Sequence, residues 1–424
     1  MKSNFVSLSS LLLCVEDKIV LLFTSIMKTA YIVDAVRTPI GKYGGVLSNI
    51  RPDDMLAHVI RTLLVRNPSI DVFEIEDVIA GDANQAGEDN RNVARMASLL
   101  AGLPVSIAGN TVNRLCASGL QAIMDGARQV MCGDAELIIA CGVESMTRAP
   151  FVMPKATNAF QRSNEVFDTT LGWRFTNNKL AEQYYPYSMG ETAENVAKKW
   201  NISREEQDEF ALRSQEKYFA AREANKWDDE IAPIEVYNER LVSWIIHDEH
   251  PRQTSLEKLA SLKPAFAKDG TVTAGNSSGI NDGAAAMLIA SEEAIKKFEL
   301  TPLARVVSMS VAGVDPAIMG IGPVPATRKA LQRARLTIDD ISLVELNEAF
   351  ASQAIACIRE LNMDTSKVNV NGGAIAIGHP LGCSGVRIST TLLHEMNRNG
   401  SKYGLATMCV GVGQGASVIY EKIV

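Results

Sequence analysis

The chain has 424 residues, of which 46% are hydrophobic and 21% charged, and a net charge of −7. That length supports two or three domains with real cores, and the acidic balance, without a basic stripe interleaved with aromatics, argues against nucleic acid. Seven scattered cysteines, none in a CxxC spacing, form neither a disulfide framework nor a zinc site, a pattern that fits a reducing cytosol and a cytoplasmic protein.

The first 26 residues differ from the rest. Leu11-Leu12-Leu13 and the apolar run 19–23 are separated by Glu16, Asp17 and Lys18. Neither run reaches the roughly 20 residues that span a bilayer. No small-residue cleavage site marks a signal peptide. Residues 1–26 therefore read as an extension ahead of a fold that begins near Met27, and no membrane partner is expected.

From there the pattern predicts strands at 30–35, 78–81 and 135–142, and helices at 52–66, 92–101 and 117–131. Alternation at this spacing indicates a mostly parallel α/β sheet covered on both faces. Between about 148 and 269 the rhythm stops. Aromatic and charged residues increase, and helices are expected at 191–200 and 204–225, so this stretch reads as an inserted loop domain. The strand signal resumes at 284–290, after the Gly-rich turn Gly275-Asn276-Ser277-Ser278-Gly279.

The second half then repeats the first. The run 304–309 parallels 31–36, and 341–346 parallels 77–81. Cys383-Ser384-Gly385 before a helix at 386–396 parallels Ala117-Ser118-Gly119 before its helix. The runs 405–409 and 416–423 parallel 138–142 and 284–291. An internal duplication follows, with domains at 27–297 and 298–424 and active loops from both halves meeting at a pseudo-twofold.

Four stretches carry chemistry. His379, one of five histidines, lies in Gly378-His379-Pro380 on a glycine-bracketed turn that feeds a helix. Such a turn lets backbone approach a ligand closely, so the residue suits acid–base work; a core or capping histidine is the alternative. Cys116 stands where a helix begins, and the free N–H groups and positive dipole end there favour a thiolate. Its own N–H can stabilise an oxyanion, whereas the bland reading is a small buried residue. Cys409 ends a strand before alternating glycines, which expose its sulfur and the N–H of Gly411; a strained turn would look the same. Asn347 follows the strand 342–346 at the carboxyl edge of the sheet, where α/β proteins place ligands, though a helix cap explains it equally well. Cys132, Cys141 and Cys357 sit in apolar stretches and read as packing, and Cys383 is given no direct role. His247 and His250 read as surface-loop residues, so no metal is expected.

Together the four motifs resemble those of the thiolases: Cys116 in Asn113-Arg114-Leu115-Cys116-Ala117-Ser118-Gly119, Asn347 in Asn347-Glu348-Ala349-Phe350-Ala351, His379 in Gly378-His379-Pro380-Leu381-Gly382, and Cys409 in Cys409-Val410-Gly411-Val412-Gly413. The resemblance runs in order from Met27 to Val424. It implies two βαβαβαββ halves in a five-layer αβαβα arrangement with an inserted loop domain. It also implies an acyltransferase that uses coenzyme A as co-substrate, holds no permanent cofactor and assembles as a homodimer or homotetramer. By resemblance Cys116 is the acyl-accepting nucleophile, His379 the base, Cys409 the acid, Asn347 the holder of a water, and Gly411 an oxyanion donor. Ser278, Arg252, Ser188 and Met189 are expected along the CoA and acyl groups.

The stretches 87–95, 167–175 and 248–252 are similar to the subgroup of the family that cleaves 3-oxoadipyl-CoA in aromatic-compound breakdown. Ser188 stands where acetoacetyl-specific members carry His. A dicarboxylyl substrate needs cations for its far carboxylate, and Arg174 and Arg162 are the candidates. The alternatives are a generic acetyl-CoA acetyltransferase or fatty-acid 3-ketoacyl-CoA thiolase, and a non-catalytic acyl-CoA-binding protein, which would lack one of Cys116, His379 and Cys409. A ketoacyl synthase would show a second His motif, and a cysteine hydrolase would leave Cys409 unexplained.

Overall fold

The computed structural model describes residues 27–238 and 241–423; the expected extension at 1–26 lies outside them. The first half contributes β1 (Tyr31–Arg37), β2 (Gly41–Lys42), β3 (Asp77–Gly81), β4 (Ala108–Val112) and β5 (Leu137–Ser145). The segment that follows carries two small hairpins, β6 (Phe151–Val152) with β7 (Phe167–Asp168), and β8 (Ile234–Asn238) with β9 (Leu241–Ile245). The main sheet resumes with β10 (Asn281–Ala290), β11 (Ala304–Gly313), β12 (Leu343–Leu346), β13 (Tyr403–Val410) and β14 (Gln414–Lys422).

The strand order is β12-β13-β14-β11-β1-β10-β5-β3-β4, with β2 beside β10. Read outward from its centre, the order repeats: β1, β10, β5, β3 on one side answer β11, β14, β13, β12 on the other. Within the sheet, and among the described residues, the halves join through two residue pairs, Tyr31 with Arg305 and Ile32 with Ala304. The counterpart of β4 in the second half is reduced to a single parallel bridge between Val344 and Val368.

The sheet is mixed rather than mostly parallel. β3/β4, β3/β5 and β12/β13 are parallel, whereas β1/β10, β10/β5, β11/β14 and β13/β14 are antiparallel. Fully buried strands read as apolar runs in either direction, so composition did not distinguish them. Direction is set by the connections. β13 turns into β14 through only Gly411-Val412-Gly413, and a loop that short allows an antiparallel partner alone.

Two long helices lie at the centre, Ser118–Cys132 and Leu381–Asn399, each ended by a left-handed glycine, Gly133 and Gly400. They pack on each other and on strands of both halves. Strand alternation divides the core accordingly. Ile32, Ile138, Ala140 and Met287 face the central helices together with Ala406, Met408 and Val418, while Val33, Ile139, Cys141 and Leu288 face outward beneath Pro52–Arg66 and Val93–Leu100. Pro323–Ala334 and Ala351–Leu361 cover the other half's outer face. The result is five layers, αβαβα. The segment between β5 and β10 adds helices Met189–Lys199 and Arg204–Glu223, each opened by a serine–glutamate capping box. Among the described residues no helix is long and apolar enough to cross a membrane.

The central helices touch at their N-terminal turns, where only glycine fits. A Cβ on Gly385 would lie 2.0 Å from the Leu120 nitrogen, one on Gly119 2.6 Å from the Gly382 carbonyl, and one on Gly81 2.1 Å from the Gly119 nitrogen. All of these obstacles are backbone and cannot rotate away. Gly385→Ala is therefore expected to destabilise the protein by roughly 1–3 kcal/mol in urea unfolding. Gly126→Ala, on the first central helix, meets only the Ile138 and Ile289 side chains, at 3.0 and 3.2 Å, and should change stability far less.

Candidate active site

Cys116 stands two residues ahead of the first central helix, after Leu115, whose φ of +47° is left-handed. His379 stands two residues ahead of the second, after Gly378 at φ +114°. The glycine contacts above bring these two helix starts together. The site is completed from the second half: Asn347 follows β12, Cys409 is the penultimate residue of β13, and Gly411 opens the turn beyond it.

His379 is buried at 5% exposure and held on several sides. Its backbone N–H donates to Asn281 Oδ1 at 2.9 Å, and Asn281 Nδ2 donates to the Gly41 carbonyl at 2.9 Å. A Cβ at Gly378 would strike the Asn281 amide at 2.6 Å, so glycine is required there both by φ and by space. The ring Nδ1 lies 2.6 Å from Ser384 Oγ, which is also 2.8 Å from the Pro380 carbonyl. A carbonyl can only accept, and a hydroxyl has one proton to give. With that proton on Pro380, Ser384 accepts from Nδ1–H and leaves Nε2 as the basic nitrogen. Asn347 Nδ2 lies 3.4 Å from both ring nitrogens, and its buried Oδ1 has no protein partner.

The electrostatics favour neutral groups at rest. Burial, reinforced by the cation of Arg387, pushes His379 down to about 3. Burial pushes Cys116 up to about 11, although the Gly411 N–H pulls the other way, with Glu144 adding to the rise. Burial and the neighbouring Cys116 raise Cys409 well above its ordinary value. The resting thiolate suggested by the helix start is therefore corrected to a thiol: desolvation outweighs the dipole. Glu144 is itself lifted to about 7 by burial while accepting from the N–H groups of Ala83, Asn84 and Gly382.

The glycine turn is strained, with Val412 at φ +61° and Gly413 at +77°. A Cβ on Gly413 would lie 2.2 Å from the Val314 carbonyl, and one on Gly411 would meet Leu115 at 3.2 Å and the Met189 sulfur at 3.6 Å. Met189 thus packs beside the turn, in a cluster with Met319, Phe350 and Cys409. Ser188 is the cap of the helix Met189–Lys199, its hydroxyl bonded to Glu191 at 2.8 Å, which is a structural use. Ser278 is tied to the Asn347 segment, its N–H and hydroxyl both donating to the Ala349 carbonyl. Arg252 is exposed and donates to the Ala274 carbonyl at 2.7 Å, beside the same turn. Arg174 is half-buried next to Trp173, whose indole N–H donates to the Tyr187 carbonyl; Arg162 lies on an exposed stretch. Cys141, Cys357 and Cys383 are buried, and Cys132 is exposed. Asn281 and Ser384 were missed from sequence. Ser384 falls in the quoted motif, but nothing local in Asn281 points to a histidine 98 residues away.

Comparison with known proteins agrees with this geometry. The model of the thiolase N-terminal domain matches residues 30–293 and that of the thiolase C-terminal domain residues 300–422. The chain belongs to the thiolase family and is an acyltransferase. It is 56% identical over 401 residues to a beta-ketoadipyl-CoA thiolase of Escherichia coli, covering 94% of this chain and 100% of the relative. The same identity and coverage relate it to the 3-oxoadipyl-CoA/3-oxo-5,6-dehydrosuberyl-CoA thiolase of Escherichia coli K12. Human mitochondrial 3-ketoacyl-CoA thiolase in complex with CoA superposes with a TM-score of 0.87 at 43% identity, covering 94% of this chain and 99% of that one. Bacillus anthracis acetyl-CoA acetyltransferase gives 0.88 at 43% identity, covering 94% and 100%.

A thiol raised to about 11 reacts in proportion to its thiolate fraction. Alkylation of Cys116 by iodoacetamide should therefore climb about tenfold per pH unit from 7 to 10 without a plateau. Mass spectrometry of the labelled peptide reads it; a plateau near pH 7 would reveal a stable thiolate instead.

Proposed function

We propose that this protein cleaves 3-oxoadipyl-CoA with CoA to give succinyl-CoA and acetyl-CoA. The observation that carries the substrate is the full-length 56% identity to relatives named for that thioester. The difficulty is to expel a carbanion from the α-carbon of a thioester, and a covalent intermediate divides the work.

Cys116 sulfur attacks the 3-keto carbon while its proton passes to Nε2 of His379. The tetrahedral oxygen is received by the N–H groups of Cys116 and Gly411. The bond between C2 and C3 breaks, and the acetyl-CoA enolate leaves with its oxygen facing the newly formed Nε2–H and a water oriented by Asn347. Cys409 protonates C2 and becomes a thiolate, which recovers a proton from His379. With both groups reset, His379 takes the proton of an incoming CoA thiol. The CoA sulfur attacks the succinyl carbonyl, and Cys116 leaves as a thiol with the proton from His379. A neutral imidazole beside neutral thiols suits this sequence, because each half-reaction begins from uncharged groups.

CoA would run past Ser278 toward Arg252, with Met189 beside the acyl group. The substrate's far carboxylate would be met by Arg174, better placed than Arg162 because Trp173 anchors its segment next to Tyr187 and Met189. Homodimeric or homotetrameric assembly and a cytoplasmic location belong to the same reading.

The test is CoA-dependent cleavage of 3-oxoadipyl-CoA beside acetoacetyl-CoA and a medium-chain 3-oxoacyl-CoA, with Cys116→Ala as control. A kcat/KM preference for the dicarboxylate of about tenfold or more, about 1.4 kcal/mol, is expected. Equal or better cleavage of the uncharged substrates would leave a thiolase of different acyl preference.

A further inference from the structure

Beyond the groups that meet substrate, a second contact links the same two elements. Glu345 and Asn347 are two apart on β12 and its extension, so their side chains leave the same face. Ser384 and Arg387 are three apart on the second central helix and also share a face. Asn347 meets His379 at 3.4 Å, and one step along, Glu345 Oε2 lies 3.8 Å from Arg387 Nη1. The two contacts are successive rungs between one strand and one helix segment. Arg387 is fully buried, and its Nε, Nη1 and Nη2 have no hydrogen-bond partner within the described chain; Glu345 is 3% exposed.

A buried guanidinium is costly unless its charge is answered nearby, so keeping it here needs a reason. The groups facing this pair are Arg37 on β1, Glu230 from the loop segment, Lys217 on the helix Arg204–Glu223, Glu348 beyond Asn347, and Cys383 on the same helix. Arg37 is already engaged by Glu230 at 2.5 Å and Asp248 at 2.6 Å, and Glu348 by Ser214, Asn369 and the Ile375 N–H. Glu345 is thus the acid left to Arg387.

We propose that Arg387, acting through Glu345, is a positioning residue for the His379–Asn347 pair: the outer rung sets the spacing of helix and strand that the inner rung uses. This rests on the role given to His379 above. Burial raises Glu345 to about 8 and lowers Arg387, with each partner pulling the other back toward its charged form, and Arg387 adds to the burial that lowers His379.

The test compares the parent with Arg387→Met/Glu345→Leu, Arg387→Lys and Glu345→Gln. An apolar pair of similar volume removes both buried polar groups together, leaving neither without its partner, so the double variant should unfold at a temperature close to the parent's. Its kcat should fall about tenfold or more with KM for CoA within about twofold, the mark of misplaced catalytic groups. A general base works unprotonated, so kcat/KM falls as pH drops through the pKa of His379. Removing a cation that holds that pKa down moves the acid limb to higher pH. Arg387→Lys keeps the charge and should leave the limb in place. Glu345→Gln imitates the form present below about 8 and should leave it too. A double variant with parental kcat and an unmoved limb overturns the proposal, as does parallel loss of kcat, CoA affinity and melting temperature that Arg387→Lys does not relieve. If the double variant does not fold, the two single variants carry the same readouts, and an Arg387→Lys limb shifted to higher pH is the overturning result. Full activity in His379→Gln would be a separate failure, that of the catalytic reading itself.

Discussion

The close approach of two helix starts is the constraint on which the rest depends. Gly119, Gly382 and Gly385 let the N-terminal turns of Ser118–Cys132 and Leu381–Asn399 touch backbone to backbone. Helix N-termini normally keep apart, because each carries unpaired N–H groups and a partial positive charge. Here Glu144 lies against one of them and accepts from the Gly382 N–H at 2.8 Å. Once the turns are in contact, Cys116 and His379 share a site without either being on a flexible loop. The left-handed Leu115 is then packed against the core, and the exposed, left-handed Val412 is carried between Gly411 and Gly413, where a Cβ on Gly413 would strike the Val314 carbonyl.

Burial has a chemical consequence as well as a mechanical one. A thiol at about 11 and an imidazole at about 3 cannot form a resting ion pair. In the mechanism proposed above, activation therefore comes with the substrate, when proton transfer and bond formation occur together and the Gly411 N–H finds an oxyanion to stabilise. Such a site protects its nucleophile from adventitious electrophiles while preserving reactivity toward a carbonyl that fits.

Most of the fold was legible because its signals are local. The helix 52–66 follows from a proline at its first position, two aspartates in its first turn and an arginine in its last. The duplication was legible from the order of apolar runs. Strand direction was not, since β5, β10 and β13 are buried along almost their whole length and carry no alternation to read. β4 escaped notice because Gly109 and Asn110 are poor strand formers, kept in place by pairing with Val78 and Ile79. In the site, Cys116, Asn347, His379 and Cys409 announce themselves through their glycines and strand ends. Asn281 does not: its function lies in a contact with residues far off in sequence. Ser188 is expected from sequence as a contact for the CoA and acyl groups, whereas its hydroxyl serves as the helix cap, a use that a polar residue before Met189 would show equally in sequence.

The duplication also explains why there is one site rather than two. Pairing aligns Gly81 of β3 with Gly142 of β5, and Leu346 of β12 with Thr407 of β13. Carried forward, Asp82 corresponds to Asn347 and Glu144 to Cys409. On the helices, the matching of Ala117-Ser118-Gly119 with Cys383-Ser384-Gly385 places Gly382 opposite Cys116 and Asn113 opposite His379. The contacts keep this symmetry: Asn113 Nδ2 donates to the Ala83 carbonyl much as His379 meets Asn347, and Glu144 reaches Gly382 as Cys409 neighbours Cys116. At the equivalent position, however, the start of the second central helix carries Gly382 in place of a nucleophile, and the space beside it is filled by carboxylates. Asp82 is fully buried, and burial and the neighbouring Glu144 raise it well above the ordinary carboxylate range. A substrate carbonyl there would find no group to attack it. The two equivalent positions thus differ: one end of the helix contact is closed with buried acids, of which Glu144 holds the turns in place, leaving the other to the thiols and the imidazole.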